Sequence, residues 1–445
     1  MSGLAEILRT LEFDVSGSDL REGENTRALQ RLGVRIDVGH RAENVRGADV
    51  VVYSSAVGAD NPELEAARSS GTPVISRAEM LAELMRVKYG IAIAGSHGKT
   101  TTTSLVATIL RAGGFDPTVV VGGRMAQLGS NARLGAGDLL VAEADESDGS
   151  FLRLTPTIAV VTNIDPEHLD FYGDHDALKN AFVQFIEKVP FYGLAVLCLD
   201  HPHVQDLLPR IGRRHVTYGL TPQADYHSRA IEQRGLSSSF VAYRRGEPLG
   251  EFVLRMPGRH NVLNTLAAIA VADELEVPLD VTKQALATFN GVARRFSIVA
   301  EVDGIPLVDD YGHHPAEVEA TLAAARGAYA GRVIVAFQPH RYSRTELLFE
   351  DFTRAFNNAD VLFLADIYAA GEKPIAGISA ERLARGIAEH GHHAVRYVKD
   401  RAALADQIAR IAAPGDVVIA LGAGDINKIL SAIAIELEAR KGKAP

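Results

Sequence analysis

Three times along this chain a short β-branched apolar run leads through a glycine-containing turn into a segment of helical period. That alternation leaves little choice but parallel sheets covered by helices, an α/β fold class. In the first stretch, Ala48–Val57 and Thr72–Arg77 predict buried strands, and Asn61–Gly71 (NPELEAARSSG) predicts a crossover helix ended by Gly71. A second unit begins with strand, glycine turn and helix in Tyr89–Gly114, and continues through Asp138–Phe151 and Thr157–Phe171. Near Gly258–Ala272 a loop feeds a further helix. The third unit starts at about Phe296, with strands at IPLVDDY, GRVIVAFQP, ADVLFLADI and GDVVIALGAG. A chain of 445 residues exceeds one ordinary core. We expect three domains, 1–88, 89–293 and 294–445.

Composition narrows the function classes. An apolar fraction of 47% with 23% charged residues is ordinary globular composition. No apolar run approaches the roughly 18–20 residues of a spanning helix. The opening MSGLAEILRTLEF lacks a basic n-region, so a secretory leader is not expected. Cys198 is the single cysteine, which excludes an intrachain disulfide and fits a reducing cytoplasm. A net charge of −10 has the wrong sign for general affinity to nucleic acid or anionic membrane, and neither is expected as a partner. Anionic ligands must then be held by local devices.

The strongest such device is Gly95-Ser96-His97-Gly98-Lys99-Thr100, which follows the apolar run IAIA and precedes a Thr-rich helix start. Glycines let backbone N–H groups turn toward phosphate oxygens, and a helix N-terminus adds the positive end of its dipole. Lys99 supplies a point charge to the β/γ-phosphates, and the Thr100 hydroxyl a Mg²⁺ ligand. The usual Walker pattern wants its first glycine at position 93, which is Ile93 here. The bland alternative is a glycine turn opening a buried helix.

Downstream, Glu143 ends the run LLVAE among Asp145, Glu146 and Asp148, an acidic setting suited to a hard cation. A solvated acidic loop is the alternative. His168 follows the next strand, at the same sheet edge, and with Glu143 is a candidate to hold a second divalent ion between phosphate and an incoming carboxylate.

GSHGKTTT, EADESDGSF, TNIDPEHLDFYG, PGRHNVLNTLAA, RRF, DDYGHHPAEV, FQPHRYSRT and LGAGDINKI occur in the order found in the Mur ligases. The resemblance covers essentially the whole chain, and the last three motifs resemble the alanine-adding branch of that family. It implies an N-terminal Rossmann-like UDP-sugar domain, a central phosphate-loop ATPase and a C-terminal Rossmann-like domain that closes over the site. It also implies a reaction: ATP phosphorylates the lactyl carboxylate of UDP-N-acetylmuramate, and the amine of L-alanine attacks the acyl phosphate. ATP and Mg²⁺ are the implied cofactors, and the chain is expected as a monomer or homodimer. A tripeptide-recycling relative, an inactive nucleotide-binding remnant and a generic phosphate-loop hydrolase are the alternatives.

By resemblance, Lys99, Glu143, His168 and Arg344 form the catalytic set, with Thr100, Glu143 and His168 on metal. Thr101, Asn261, Asn264 and Asp310 join the loop in contacting nucleotide. Arg294 and Arg295 are candidates to reach the γ-phosphate on closure, against the alternative of a solvated linker pair. His340, Arg341 and Arg344 follow the strand VIVAFQP, and an Arg fork matches a carboxylate bidentately. Tyr311, His313 and His314 are candidates for the amino-acid pocket. At the front, Ser18, Asp19, His40, Ser54 and Ser55 are the substrate candidates, with turn chemistry as the alternative for the two serines in YSSAV.

Mur relatives begin with an apolar strand and a GIGGxGMSG loop, whereas this sequence begins within that loop, at Met1-Ser2-Gly3. The missing strand would be central in a doubly wound sheet. Its absence predicts a gap between its neighbours or their collapse together. A start assigned too late or a shortened chain is one explanation, and a natural variant with a weakened UDP site the other; intact mass of the native protein separates them.

Overall fold

The structure, a computed structural model, describes residues 1–54, 57–121 and 132–441. The chain falls into two compact units. One comprises Met1–Arg229, Val241–Gly250 and Leu263–Leu286, the other Ala230–Phe240, Glu251–Val262 and Ala287–Pro445.

At the front of the first unit, Ser16–Asp19 (β1) and Arg35–Val38 (β2) form one parallel pair, and Val51–Tyr53 (β3) and Val74–Ser76 (β4) another. Among the described residues nothing pairs with the remaining edges of β1 and β3, so the expected gap is present. β3 and β4 are only partly buried, where parallel strands are ordinarily covered on both faces. The crossover helix forms at Pro62–Ser69. The Asn61 side chain accepts the Glu63 N–H, Pro62 occupies a first-turn position, and Gly71 follows at φ +74°.

A ten-stranded sheet follows. Its strands are Tyr89–Ala94 (β5), Thr118–Val120 (β6), Ala132–Arg133 (β7), Leu139–Glu143 (β8), Ile158–Val161 (β9), Leu194–Cys198 (β10), His215–Gly219 (β11), Tyr226–Arg234 (β12), Ser237–Arg244 (β13) and Glu247–Leu254 (β14). The order is β14-β13-β12-β11-β10-β9-β5-β8-β6-β7, and the pairs from β6 through β8, β5, β9, β10 and β11 to β12 are parallel. Leu4 and Ile7 of the helix Ser2–Thr10, and Leu81 and Met85 of the helix Arg77–Arg86, share one apolar cluster with Ala92, Ala142, Phe151 and Phe182. Phe151 meets Phe182 edge-on at 5.2 Å and stacks on Phe185 at 5.1 Å. Each such buried ring contributes roughly 1.5–3 kcal/mol. The front of the chain is thereby fastened to the central sheet although, among the described residues, its own strands pair two by two.

In the second unit, Ser297–Val302 (β15), Ile305–Asp310 (β16), Val333–Phe337 (β17), Val361–Leu364 (β18), Val395–Tyr397 (β19) and Val417–Leu421 (β20) form a sheet of order β15-β16-β20-β17-β18-β19. The four strands expected there form as β16, β17, β18 and β20, with β17 and β20 buried at every residue. β15 was not anticipated. It is the antiparallel edge strand, half exposed, and joins β16 through Asp303-Gly304, both at positive φ as a tight hairpin turn requires. Among the described residues no helix is long and apolar enough to cross a membrane.

Candidate active site

β5 lies between β9 and β8, with Ile93 registered against Val160 on one side and Glu143 on the other. The chain fills β6 and β8 on one flank before crossing to β9 on the other. The turns after β5, β8 and β9 therefore meet at a reversal of strand order, where open α/β sheets bind ligands. Ile93 is fully buried inside β5, so the phosphate loop begins later, at Gly95. Gly95 has φ +129°, and a Cβ there would lie 2.1 Å from Thr162 Oγ1. Gly98 has φ +85°, and a Cβ there would lie 2.6 Å from Asn264 Oδ1. Both positions require glycine.

The turn after β9 clasps the loop. Ser96 N–H donates to Asn163 O at 3.2 Å, His97 N–H to Asn163 Oδ1 at 2.7 Å, and the Thr162 hydroxyl to His97 O at 2.6 Å. Asp165 N–H donates to Ser96 Oγ at 2.9 Å. The Asp165 carboxylate sits between His97 Nε2 at 3.0 Å and His201 Nε2 at 3.2 Å. Burial alone would raise its pKa, but the hydrogen bonds from His201 and His97 prevail and hold it well below the usual range.

Lys99 opens the helix Lys99–Ala112. Its ammonium donates to Gly95 O at 2.5 Å, to Ser96 O at 3.1 Å, and to both oxygens of Glu146 at 3.0 and 2.9 Å. Burial works against the charge on Lys99, but Glu146 and Asp145 outweigh it and the net shift is upward. Glu146 is 2% exposed, and burial lifts its carboxyl to about 7 against the pull of Lys99. Thr100 follows in the first helical turn, partly buried, and Thr101 is buried behind it.

His168 lies at φ +57°, a conformation uncommon for a non-glycine residue and often found at functional sites. Its Nε2 stands 3.9 Å from Glu146 Oε1 and 4.0 Å from Glu167 Oε2. Ligand atoms of Glu146, Glu167 and His168 all lie within 4.8 Å of one another, a donor set of two buried carboxylates and one imidazole that suits a hard divalent cation. The sequence paired His168 with Glu143. The structure places Glu143 at the end of β8, registered against Ile93, and adds Glu146 and Glu167 to the surroundings of His168. Glu167, Asp165 and His201 were missed. The first two flank His168 in the same turn, which was a usable signal, whereas His201 comes from beyond β10 and gave none.

Asn264 packs its amide against Gly98. Asn261, one turn earlier on the helix Arg259–Glu274, is buried and donates to Pro257 O at 2.7 Å. At the front, Glu63 gathers Ser18 Oγ at 2.7 Å, His40 Nδ1 at 3.1 Å and Asn44 Nδ2 at 2.6 Å. His40 and Ser18 are thus tied into one network. Asp19 is exposed and accepts the Arg21 N–H at 3.2 Å. Ser54 is partly buried at the end of β3, and Ser55 lies outside the described residues.

The second unit brings its own candidates together. Arg294 donates to Gly422 O at 2.7 Å and faces Asp309, Arg295 pairs with Glu317 at 3.2 Å, and both guanidinium groups lie over Tyr311, at 4.8 and 5.5 Å. They are not a solvated linker pair. Asp310 is buried, with oxygens accepting the N–H groups of Phe296 and Gly312 at 2.8 and 2.7 Å, and burial raises its pKa to about 6. From Tyr311 the rings continue through His313 and His340 to Tyr368. His340 Nδ1 is 3.2 Å from Arg344, and burial, then His313 and Arg344, push its pKa down to about 4. Arg341 has φ +69°. His314 caps the helix Pro315–Ala328, accepting the Ala316 N–H at 3.3 Å.

A phosphate loop at the reversal of a parallel sheet, backed by an acidic and histidine-bearing second turn, defines a nucleotide-using α/β enzyme. The chain belongs to the Mur ligase family: residues 93–272 match the Mur ligase middle domain, 294–424 the Mur ligase glutamate ligase domain, and 1–89 the Mur ligase family catalytic domain. Over 443 residues it is 72% identical to the UDP-N-acetylmuramate–L-alanine ligase of Sorangium cellulosum, covering 99% of this chain and 94% of that one. The Myxococcus xanthus protein of the same name is 58% identical over 429 residues, 96% of this chain and 91% of that one. The crystal structure of the UDP-N-acetylmuramate–alanine ligase MurC from Thermotoga maritima matches at a TM-score of 0.83 and 29% identity, covering 100% of this chain and 97% of that one.

Proposed function

We propose that this chain joins L-alanine to the lactyl carboxylate of UDP-N-acetylmuramate at the expense of ATP, in peptidoglycan synthesis. A carboxylate oxygen attacks the γ-phosphorus and ADP leaves. The alanine amine then attacks the acyl carbon, and the tetrahedral intermediate expels phosphate and releases the amine proton. The substrate pair is supported by 72% identity to the Sorangium cellulosum enzyme across 99% of the chain.

The residues suit that chemistry. Carboxylate and triphosphate repel each other, and Lys99 is the fixed charge aimed into the loop to offset this. Glu146, Glu167 and His168, with Thr100 and Glu143 at the same sheet edge, are the residues that would hold Mg²⁺. Such an ion supplies further neutralisation of the phosphate oxygens. In the second unit, Arg344 beside the uncharged His340 offers a fork for a carboxylate.

The test is phosphate release with ATP, Mg²⁺, UDP-N-acetylmuramate and L-alanine, omitting each in turn, with product mass read in parallel. Release that needs all four, a product heavier by one alanine, and loss of both in Lys99→Ala are expected. ATP binding without substrate-dependent release would overturn the proposal, and incorporation of a tripeptide in place of alanine would move the chain to the recycling reaction.

A further inference from the structure

Lys99 has three N–H protons and four acceptors within reach: two loop carbonyls and both oxygens of Glu146. As it stands the ammonium is saturated. To engage a phosphate it must give up a partner. The carbonyls of Gly95 and Ser96 belong to the loop that carries it, so the exchangeable partner is the side chain of Glu146. That carboxylate has a second position at hand, because Oε1 is 3.9 Å from His168 Nε2 on its other side. Its backbone stays put meanwhile: the Tyr172 hydroxyl donates to Glu146 O at 2.6 Å.

We propose that Glu146 is a positioning residue that occupies Lys99 in the nucleotide-free enzyme and is exchanged for the triphosphate, swinging toward His168, so that it sets nucleotide affinity. The pair keeps a buried ammonium charged and aimed while the loop is empty. It also makes every nucleotide compete with a resident anion, and a charge-assisted contact is among the harder ones to displace. The inference rests on the assignment of Lys99 to the phosphates.

The experiment is equilibrium binding of a non-hydrolysable ATP analogue to the full chain with divalent cations chelated, so that no metal contact of Glu146 enters, in a cycle of Lys99→Met, Glu146→Gln and the double variant. Lys99→Met weakens binding, and Glu146→Gln tightens it about tenfold by removing the competitor, equivalent to about 1.4 kcal/mol. In the Lys99→Met background Glu146→Gln changes affinity less than about twofold, since no ammonium remains for the Glu146 side chain to occupy. Glu146→Asp, one methylene shorter, keeps the charge but loosens the pair, and gives an intermediate tightening even where the Gln variant does not fold. Unchanged or weaker binding in folded Glu146→Gln or Glu146→Asp overturns the exchange. So does equal tightening with Lys99 absent, which would mean simple repulsion. No effect of Lys99→Met would instead overturn the assignment of Lys99 itself.

Discussion

His97 of the phosphate loop places its Nε2 3.0 Å from the carboxylate of Asp165, in the turn after the neighbouring strand, and the other oxygen of that carboxylate meets His201 at 3.2 Å. Ile164 N–H donates to His201 Nδ1 at 3.4 Å, so the Nε2 of that ring carries the proton directed at Asp165. Asp165 thus accepts from His201 with one oxygen and sets the other 3.0 Å from His97 Nε2, a pairing that an amide with its NH₂ cannot reproduce.

Asp165→Asn is therefore expected to loosen the loop more than the fold. The Michaelis constant for ATP should rise about tenfold with a smaller change in kcat, and stability should fall by about 1.5–3 kcal/mol, the range for a hydrogen bond to a charged group. Steady-state kinetics and denaturant melts check this. An unchanged ATP constant would remove Asp165 from the loop's support.

Gly98→Ala and Gly114→Ala separate backbone strain from site geometry. Both glycines have φ +85°, but a Cβ at Gly98 would meet Asn264 Oδ1 at 2.6 Å, while nothing lies within 4 Å of one at Gly114. Each costs roughly 1–2 kcal/mol in conformation. Only Gly98→Ala should also abolish measurable ATP binding, which calorimetry would show.

Glu167→Gln removes one carboxylate from the group with Glu146 and His168. The Mg²⁺ concentration giving half-maximal phosphate release should rise about tenfold, and Mn²⁺ bound in the presence of nucleotide, followed by electron paramagnetic resonance, should weaken in parallel. An unshifted metal requirement would place the cation elsewhere.

His260, partly buried, is pushed down to about 4 by burial first and Arg295 second, from an ordinary 6.5. Between those values the unfolded chain binds a proton that the folded chain refuses, so its contribution to stability falls as pH drops from about 6.5 to about 4. Asp310, raised to about 6, acts in the opposite sense between about 6 and 3.8. The informative quantity is the difference between wild type and His260→Gln, whose stability should fall less steeply over that window in melts at pH 7, 5.5 and 4.5.

Among the described residues nothing pairs with the outer edges of β1 and β3, which predicts uneven protection. Amides in peptides covering 16–19 and 51–53 should exchange with deuterium orders of magnitude faster than those of β5 at 89–94, which is paired on both sides. Equal protection would mean that the two short sheets are paired in solution.

What could be read along the chain was whatever local chemistry dictates. β5, β17 and β20 are continuous apolar runs because a central parallel strand is covered on both faces, and each was legible. Gly98 and Lys99 were legible because a phosphate loop is one contiguous piece of backbone. The region of β12–β14 was passed over although Ser238, Phe240 and Ala242 alternate inward along β13, a period of two diluted by the serines. β15 was passed over although Ile298, Val299 and Val302 make it β-branched; it is a short edge strand with Ile298 and Val299 left exposed.

The sequence by itself determined the parallel sheets, the loop and its lysine, because those depend on neighbours in the chain. Only the tertiary structure decided what faces them. Glu146 and Glu167 stand beside His168, and His201 reaches Asp165 from 36 residues away. Partners of that kind are set by strand order and register, which bring the ends of β5, β8, β9 and β10 to one edge, and no spacing along the chain records that meeting.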